Sequence, residues 1–274
     1  MMGIAAHDGG ERILGIPPAD VSEWLEKEHS ILWIDTVAPT EADFVNLEAE
    51  FAFHPLALED VREQHQRPKI DFYSDHAFIV FSAVHIDEQL GLPVISEVQL
   101  FVGPNYIITL HDLPVSALQE MRRRWEANSM RIGSDVTTLL YSILDTLMDS
   151  YFPALDWVAD RLDQLERCVF EEYDPAVMKD TLALKRSLLA LRRVAGPQRD
   201  VINVLLRGES QILPEQAQPY LQDLFDHSLR VVEVVDSFRE MVMGVTEAFL
   251  SVQSNRVNEI MKRLTVINLL FLPL

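Results

Sequence analysis

The hydrophobic pattern of the chain changes period near residue 135. Before that point apolar residues come in short runs that read as strands. Ile31 to Thr36 is one, Ala77 to Ile86 is a longer one rich in Phe, Ile and Val, and Glu97 to Val102 alternates polar with apolar positions. Gly103-Pro104-Asn105 supplies turn chemistry ahead of another β-rich run, Tyr106 to Leu110, so a hairpin is expected over Glu97 to Leu110. Helical signals lie between the strands. Thr40 can cap a helix whose Phe44, Leu47 and Phe51 follow at spacings of three and four. Pro55 suits the first position of a second helix, and Leu118, Met121 and Trp125 mark a third, after which Gly133-Ser134 punctuates the chain.

From Asp135 onward, Leu140, Leu144, Leu147, Tyr151, Leu155, Val158, Leu162 and Leu165 recur in alternating steps of three and four, the seam of a long helix packed on another helix. Pro153 is expected to kink it. After Asp174-Pro175, Leu182, Leu188 and Leu191 lead a second helix, bent at Gly196-Pro197 and ended by Gly208, and the two form an antiparallel hairpin. A last helix starts near Glu215, with Val231, Val235, Phe238, Val242, Val245, Phe249 and Val252 in the same steps. Helical to Leu274, it would be roughly 90 Å long at 1.5 Å per residue, a rod that needs partners along its length. The expected fold is therefore an α/β N-terminal domain, a mixed β-sheet with flanking helices, over 1–133. An all-α region follows, with a helical hairpin over 134–210 and a very long stalk helix over 211–274.

Composition narrows the function. A formal charge of -20 repels phosphate backbones, so no nucleic acid is expected as partner. Residues 1–135 hold 23 acidic against 9 basic side chains, a field that suits cations. Cys168 is the only cysteine, which excludes a disulfide framework and fits a reducing compartment. The first 30 residues show no signal peptide, so this part is expected in the cytosol. Leu264 to Leu274 is nearly uncharged and apolar all round, about half of the roughly 20 residues that cross a bilayer. It reads as the start of a first transmembrane helix that the chain does not complete, with Lys262 and Arg263 on its cytoplasmic flank.

Several stretches, in order, resemble the CorA family of divalent-cation channels. They are Trp33-Ile34-Asp35; His54-Pro55-Leu56-Ala57-Leu58-Glu59-Asp60; Gln66-Arg67-Pro68-Lys69; Leu140 to Asp145; Leu184-Lys185-Arg186; Asp223-Leu224-Phe225-Asp226-His227; and Ser254 to Lys262. The family's Gly-Met-Asn triplet and second span would lie beyond Leu274. The resemblance implies a homopentamer in the cell (inner) membrane, with this portion on the cytoplasmic side. Such a channel transports Mg2+, and also Co2+ or Ni2+, and is held closed by regulatory Mg2+ bound between neighbouring subunits.

By the same resemblance, Asp60 and Asp223 form the inter-subunit metal site, and Glu59 with Asp145 a second one nearby. Mg2+ keeps several waters and needs only one or two carboxylates from each side of an interface. Asn258, Leu264 and Leu272 match pore-lining positions, the leucines as a constriction that gates by dewetting. Glu247 stands where the family has Asp, and Asn268 is a polar residue in an otherwise apolar stretch. Asp145, Asp149, Asp156, Asp160 and Asp163 make an acidic stripe on an ideal helix, which Lys185, Arg186, Arg192 and Arg193 can offset.

An enzyme is not expected. His54, Glu59, Asp60 and His65 cluster in sequence, but they lack a metalloprotease spacing, and no phosphate-binding glycine loop or paired nucleophile and base accompanies them. His54 is better placed to cap or pack at its helix start. A soluble coiled-coil adaptor and a zinc-transporting branch of the same family are the remaining alternatives.

Overall fold

The computed structural model describes residues 2–8, 11–27, 29–63, 66–87, 89, 91–132, 135–172, 176–208 and 215–271. The chain forms two compact units, Met1–Ala154 with Leu191–Val232, and Leu155–Ala190 with Glu233–Leu274. The fold is the expected one: a mixed sheet with helices, followed by a helical region that ends in a very long helix.

Among the described residues the sheet has seven strands: β1 (Met2–Asp8), β2 (Glu11–Leu14), β3 (Ser30–Val37), β4 (Lys69–Phe72), β5 (Ala77–Asp87), β6 (Leu92–Val102) and β7 (Tyr106–His111). Their order is β2-β1-β3-β7-β6-β5-β4. Only β3 and β7 run parallel; the other neighbours are antiparallel. The expected hairpin is β6–β7, closed by Gly103 donating to Tyr106 O at 3.0 Å. β6 starts five residues before Glu97, and it does so despite Pro93. The Gly103–Tyr106 pair sets which residues of β6 turn their backbone groups toward β7, and Pro93 is among them, so its missing N–H removes no bond to β5.

One face of this sheet packs Leu32, Ile34, Phe78, Val80 and Ile108 against α1 (Val21–Leu25), α2 (Glu41–Phe51) and α3 (Pro55–Arg62). Thr40 and Asp43 form a reciprocal capping box at the start of α2, and Ala52 ends that helix in the left-handed region at φ 45°. The turn lets His54 cap α3, its Nδ1 accepting from Leu56 N–H at 3.2 Å, with Pro55 behind it. Glu59 and Asp60 ride on this short, well-capped helix.

On the other face, Trp33 meets Trp125 of α4 (Ser116–Ile132) edge to face at 5.6 Å and donates to Thr109 Oγ1 at 3.1 Å. Thr109 in turn donates to Asp35 Oδ1 at 2.6 Å. His111 spans Asp35 at 3.1 Å and the Leu113 carbonyl at 2.7 Å, so both ring nitrogens donate when it is protonated. Burial works against that charge, but the hydrogen bond and the charge of Asp35 win and raise the His111 pKa above its ordinary value. Gln198, fully buried on α7 (Ala176–Leu206), donates to Ser82 O at 3.1 Å and accepts from the Tyr151 hydroxyl.

The expected long seam divides into α5 (Val136–Asp149) and α6 (Tyr151–Arg167), separated by a turn at Ser150. Pro153 accounts for the position. It offers no N–H to the carbonyl of Asp149 and its ring crowds that group, so the helix breaks there instead of bending at the proline itself. A π-helical turn over Cys168–Glu172 follows α6. α7 continues through Pro197, and Gly208, at φ 67°, closes the turn after its last residue, as anticipated. A 3-10 turn at Glu215–Ala217 leads into α8 (Gln218–Phe271), 54 residues long. Gly133-Ser134, Asp174-Pro175 and His65 lie outside the described residues. Among the described residues no helix is long and apolar enough to cross a membrane.

Removing the carboxylate in Asp35→Ala takes away the acidic partner of the buried His111, and should cost about 3–5 kcal/mol in urea unfolding near pH 6. The folded state holds the His111 proton more tightly than the unfolded chain. Its contribution is therefore complete below about pH 6.5 and is lost as the pH rises through the higher folded-state value. Urea midpoints across that range should fall for the parent chain, and the His111→Gln variant should lack this component.

Candidate functional site

α5 is fixed at its start by Asp135, whose carboxylate accepts from Thr138 N–H at 2.8 Å. Its buried face carries Leu139, Leu140, Ile143, Leu144 and Leu147, all at most 2% exposed. Leu221, Leu224, Ser228, Val231 and Val232 are the buried positions at the start of α8. Above these apolar rows each helix keeps a polar row. On α5 it is Tyr141, Asp145 and Asp149, four residues apart; on α8 it is Tyr220, Asp223 and His227, at steps of three and four.

The two rows interlock. The Tyr141 and Tyr220 rings lie 5.2 Å apart, and the Tyr141 hydroxyl donates to Asp223 Oδ2 at 3.1 Å. His227 Nδ1 is 3.2 Å from Asp145 Oδ1 and 4.0 Å from Asp149 Oδ1, while its Nε2 is 4.0 Å from Asp223 Oδ1. Phe152 meets the imidazole edge to face, and the Arg230 guanidinium lies over the Phe152 ring. With Nδ1 donating to Asp145, Nε2 either directs a proton toward Asp223 or carries a lone pair on which a cation could sit.

The electrostatics at Asp145 favour a cation. Burial raises its pKa first, the neighbouring Asp149 charge raises it further, and His227 only partly offsets both. Burial, with the charges of Asp145, Asp223 and Asp149, likewise raises the Tyr141 phenol, which keeps it a donor. Ligand atoms of Asp145, Asp149 and His227 lie within 4.8 Å of one another. Two carboxylate oxygens and an imidazole nitrogen suit a divalent ion that completes its shell with water, and the imidazole suits Co2+ or Ni2+ better than Mg2+.

Of the four acids expected to bind metal, Asp145 and Asp223 converge on His227. Glu59 and Asp60 sit on α3, where Glu59 is exposed and Asp60 is held by Lys69 Nζ at 2.5 Å. Lys69 also reaches Asp71 at 3.1 Å. Desolvation lowers the Lys69 pKa, but the two carboxylates more than reverse this, so its net shift is upward. His227 was not expected as a ligand; its spacing of four from Asp223, matching the row on α5, is the signal that could have found it. Asn258 and Leu264 lie on the exposed part of α8, and Leu272 lies outside the described residues. Around them Val257, Ile260, Met261, Leu264, Val266, Ile267 and Leu269 are each about half exposed or more, an apolar surface far larger than scattered residues account for.

The model of a family described as "CorA-like Mg2+ transporter protein" matches residues 28–274. A cobalt/magnesium transport protein CorA from Thermotoga maritima is 34% identical over 88% of this chain and 70% of its own length. Another, from Methanocaldococcus jannaschii, is 23% identical over 89% of this chain and 77% of its own. The complete structure of a CorA magnesium transporter from that organism superposes at a TM-score of 0.81, covering 98% of this chain and 83% of the other at 22% identity.

Asp145 and Asp149 are like charges one helical turn apart. Asp149→Asn should therefore stabilise the metal-free chain by a few tenths of a kcal/mol in thermal unfolding at low salt, and His227→Ala should destabilise it.

Proposed function

The chain belongs to the CorA family of Mg2+ transporter proteins, and from that membership we propose that it is the cytoplasmic Mg2+-sensing part of a homopentameric channel carrying Mg2+, and also Co2+, across the cell (inner) membrane. The observation that carries the sensor reading is the convergence of Asp145 and Asp223, two of the four matched acids, on His227. They form a partly buried anionic cluster whose charge a divalent cation would balance.

In this reading Asp60 of one subunit and Asp223 of its neighbour share a hydrated Mg2+, and Glu59 and Asp145 flank a second ion. Neither ion needs to shed most of its water, so binding is reversible at cellular Mg2+ levels. When Mg2+ is abundant the shared ions hold adjacent subunits together. When it is scarce the facing carboxylates repel and the subunits part. Asp223 and His227 belong to the same helix as Asn258 and Leu264, so strain at the acids is delivered along α8 to the residues that would line the pore. No bond-making chemistry enters this mechanism.

Lys69 adds a competing step. Its ammonium already neutralises Asp60, so an arriving Mg2+ must displace it, and Asp71 is the carboxylate that receives it. This tethered cation sets the concentration at which the ion wins.

Mg2+ at about tenfold over its Kd should raise the Tm of the assembled full-length protein by about 3–6 °C and slow its proteolysis. Asp60→Ala combined with Asp223→Ala should remove that response; an undiminished response would sink the sensor assignment. Lys69→Met should shift the Mg2+ midpoint to lower concentration by a few-fold.

A further inference from the structure

The side-chain cap of α3 is a histidine. A backbone N–H only donates, so the 3.2 Å contact from Leu56 N–H makes His54 Nδ1 an acceptor and puts the ring proton on Nε2. The remaining positions of the first turn are settled without the ring. Pro55 has no N–H, and Ala57 and Leu58 donate to the His54 carbonyl at 2.9 and 3.2 Å. The imidazole is held in orientation by stacking on Tyr73, 4.7 Å away with 21° between the planes.

His54 is exposed, and an imidazole changes charge between about pH 5 and pH 8, so a proton can remove this cap. Once Nδ1 carries hydrogen it meets the Leu56 N–H donor to donor, and the imidazolium sits at the positive end of the helix dipole. Both effects oppose the first turn. α3 is only eight residues long and has no helical interior to absorb the loss. Its far end is fastened by Arg62 to Glu48 at 2.8 Å and by Asp60 to Lys69, so the loosening falls on the first turn and on Glu59, which follows it.

The groups around the ring are aromatic first and charged behind. Burial raises the Tyr73 phenol, Asp71 and Asp60 raise it further and Lys69 opposes them, so Tyr73 stays neutral over this range. Tyr73 also stacks on His76 at 4.8 Å, whose Nδ1 is 2.8 Å from Asp75. The charged side chains of α3 itself are Glu59, Asp60 and Arg62, and α2 brings Glu41 and Glu48, both paired with Arg62.

We propose that His54 is a pH-sensitive cap: its protonation loosens the first turn of α3 and thereby weakens divalent-cation binding at Glu59 and Asp60. The consequence for the ion rests on the sensor reading above, whereas the release of the cap does not.

Two measurements on the assembled full-length protein test the two halves. Hydrogen exchange of the α3 amides is followed without divalent ions and corrected for the intrinsic pH dependence of exchange. Protection should fall about fivefold between about pH 7.5 and about pH 5.5, the ordinary worth of a helix cap. His54→Asn, which keeps a neutral acceptor, should hold its protection at both values, and His54→Ala should show the reduced protection at both. In the second measurement, the Mg2+ midpoint of the thermal shift should rise over the same range about fivefold more in the parent than in His54→Asn. The rise common to both belongs to the acids and to His227.

Protection that ignores pH in the parent, or full protection in His54→Ala at the higher pH, would overturn the proposal. So would a His54→Asn variant that follows the parent, which would assign the titration to His76 instead. Equal Mg2+ shifts in parent and His54→Asn would overturn the link to the ion. Failure of the sensor reading looks different: Asp60→Ala with Asp223→Ala would then keep the Mg2+ response while the exchange results stand.

Discussion

The candidate site depends on the register of α5 against the start of α8, and that register is held by apolar packing. Leu140, Leu144 and Leu147 on one helix and Leu221, Leu224 and Val231 on the other are buried almost completely. Each contributes on the order of 1.5–3 kcal/mol by leaving water. A slip of one turn would move one polar row past the other by about 5.4 Å. Asp145 would then lose His227, and Tyr141 would lose Asp223. The leucines and valines therefore decide which charges meet, although they contribute nothing to the charge itself. This is also why two acids can be kept near each other at a partly desolvated position: the hydrophobic gain beneath them exceeds their mutual repulsion.

Much of the fold was written in local signals. The Thr40 helix cap, the Pro55 helix start, the β6–β7 turn and the three-four spacing of the long helices each rest on neighbours in sequence, and each is legible there. What was missed rests on distant partners. β1 is a strand because β3 lies beside it, and Gly3, Ala5 and Ala6 carry little strand propensity of their own. β4, four residues long, exists by pairing with β5. The break at Ser150 was displaced from Pro153 by one turn, because a proline disrupts the carbonyl four residues before it.

The candidate site divides in the same way. Asp60, Asp223, Glu59 and Asp145 are singled out only by the pattern they share with a family. The partner each acid has within this chain was not visible. Lys69 stands nine residues from Asp60, and only the return of β4 past α3 brings its ammonium to that carboxylate. His227 closes a motif legible in the sequence, yet its bond to Asp145 joins positions 82 residues apart. Side-chain type is a sequence property, whereas pairing belongs to the fold.

The hydroxyl of Tyr141 is also an optical reporter. Half-buried, and hydrogen-bonded to Asp223 at 3.1 Å, this phenol is a chromophore attached directly to one of the acids in question. Any new occupant of that carboxylate changes what the ring sees. Near-ultraviolet absorbance and circular dichroism of the unlabelled chain, taken as a difference against Tyr141→Phe, can thus follow events at Asp223 in real time without a dye, a tag or a radioactive tracer.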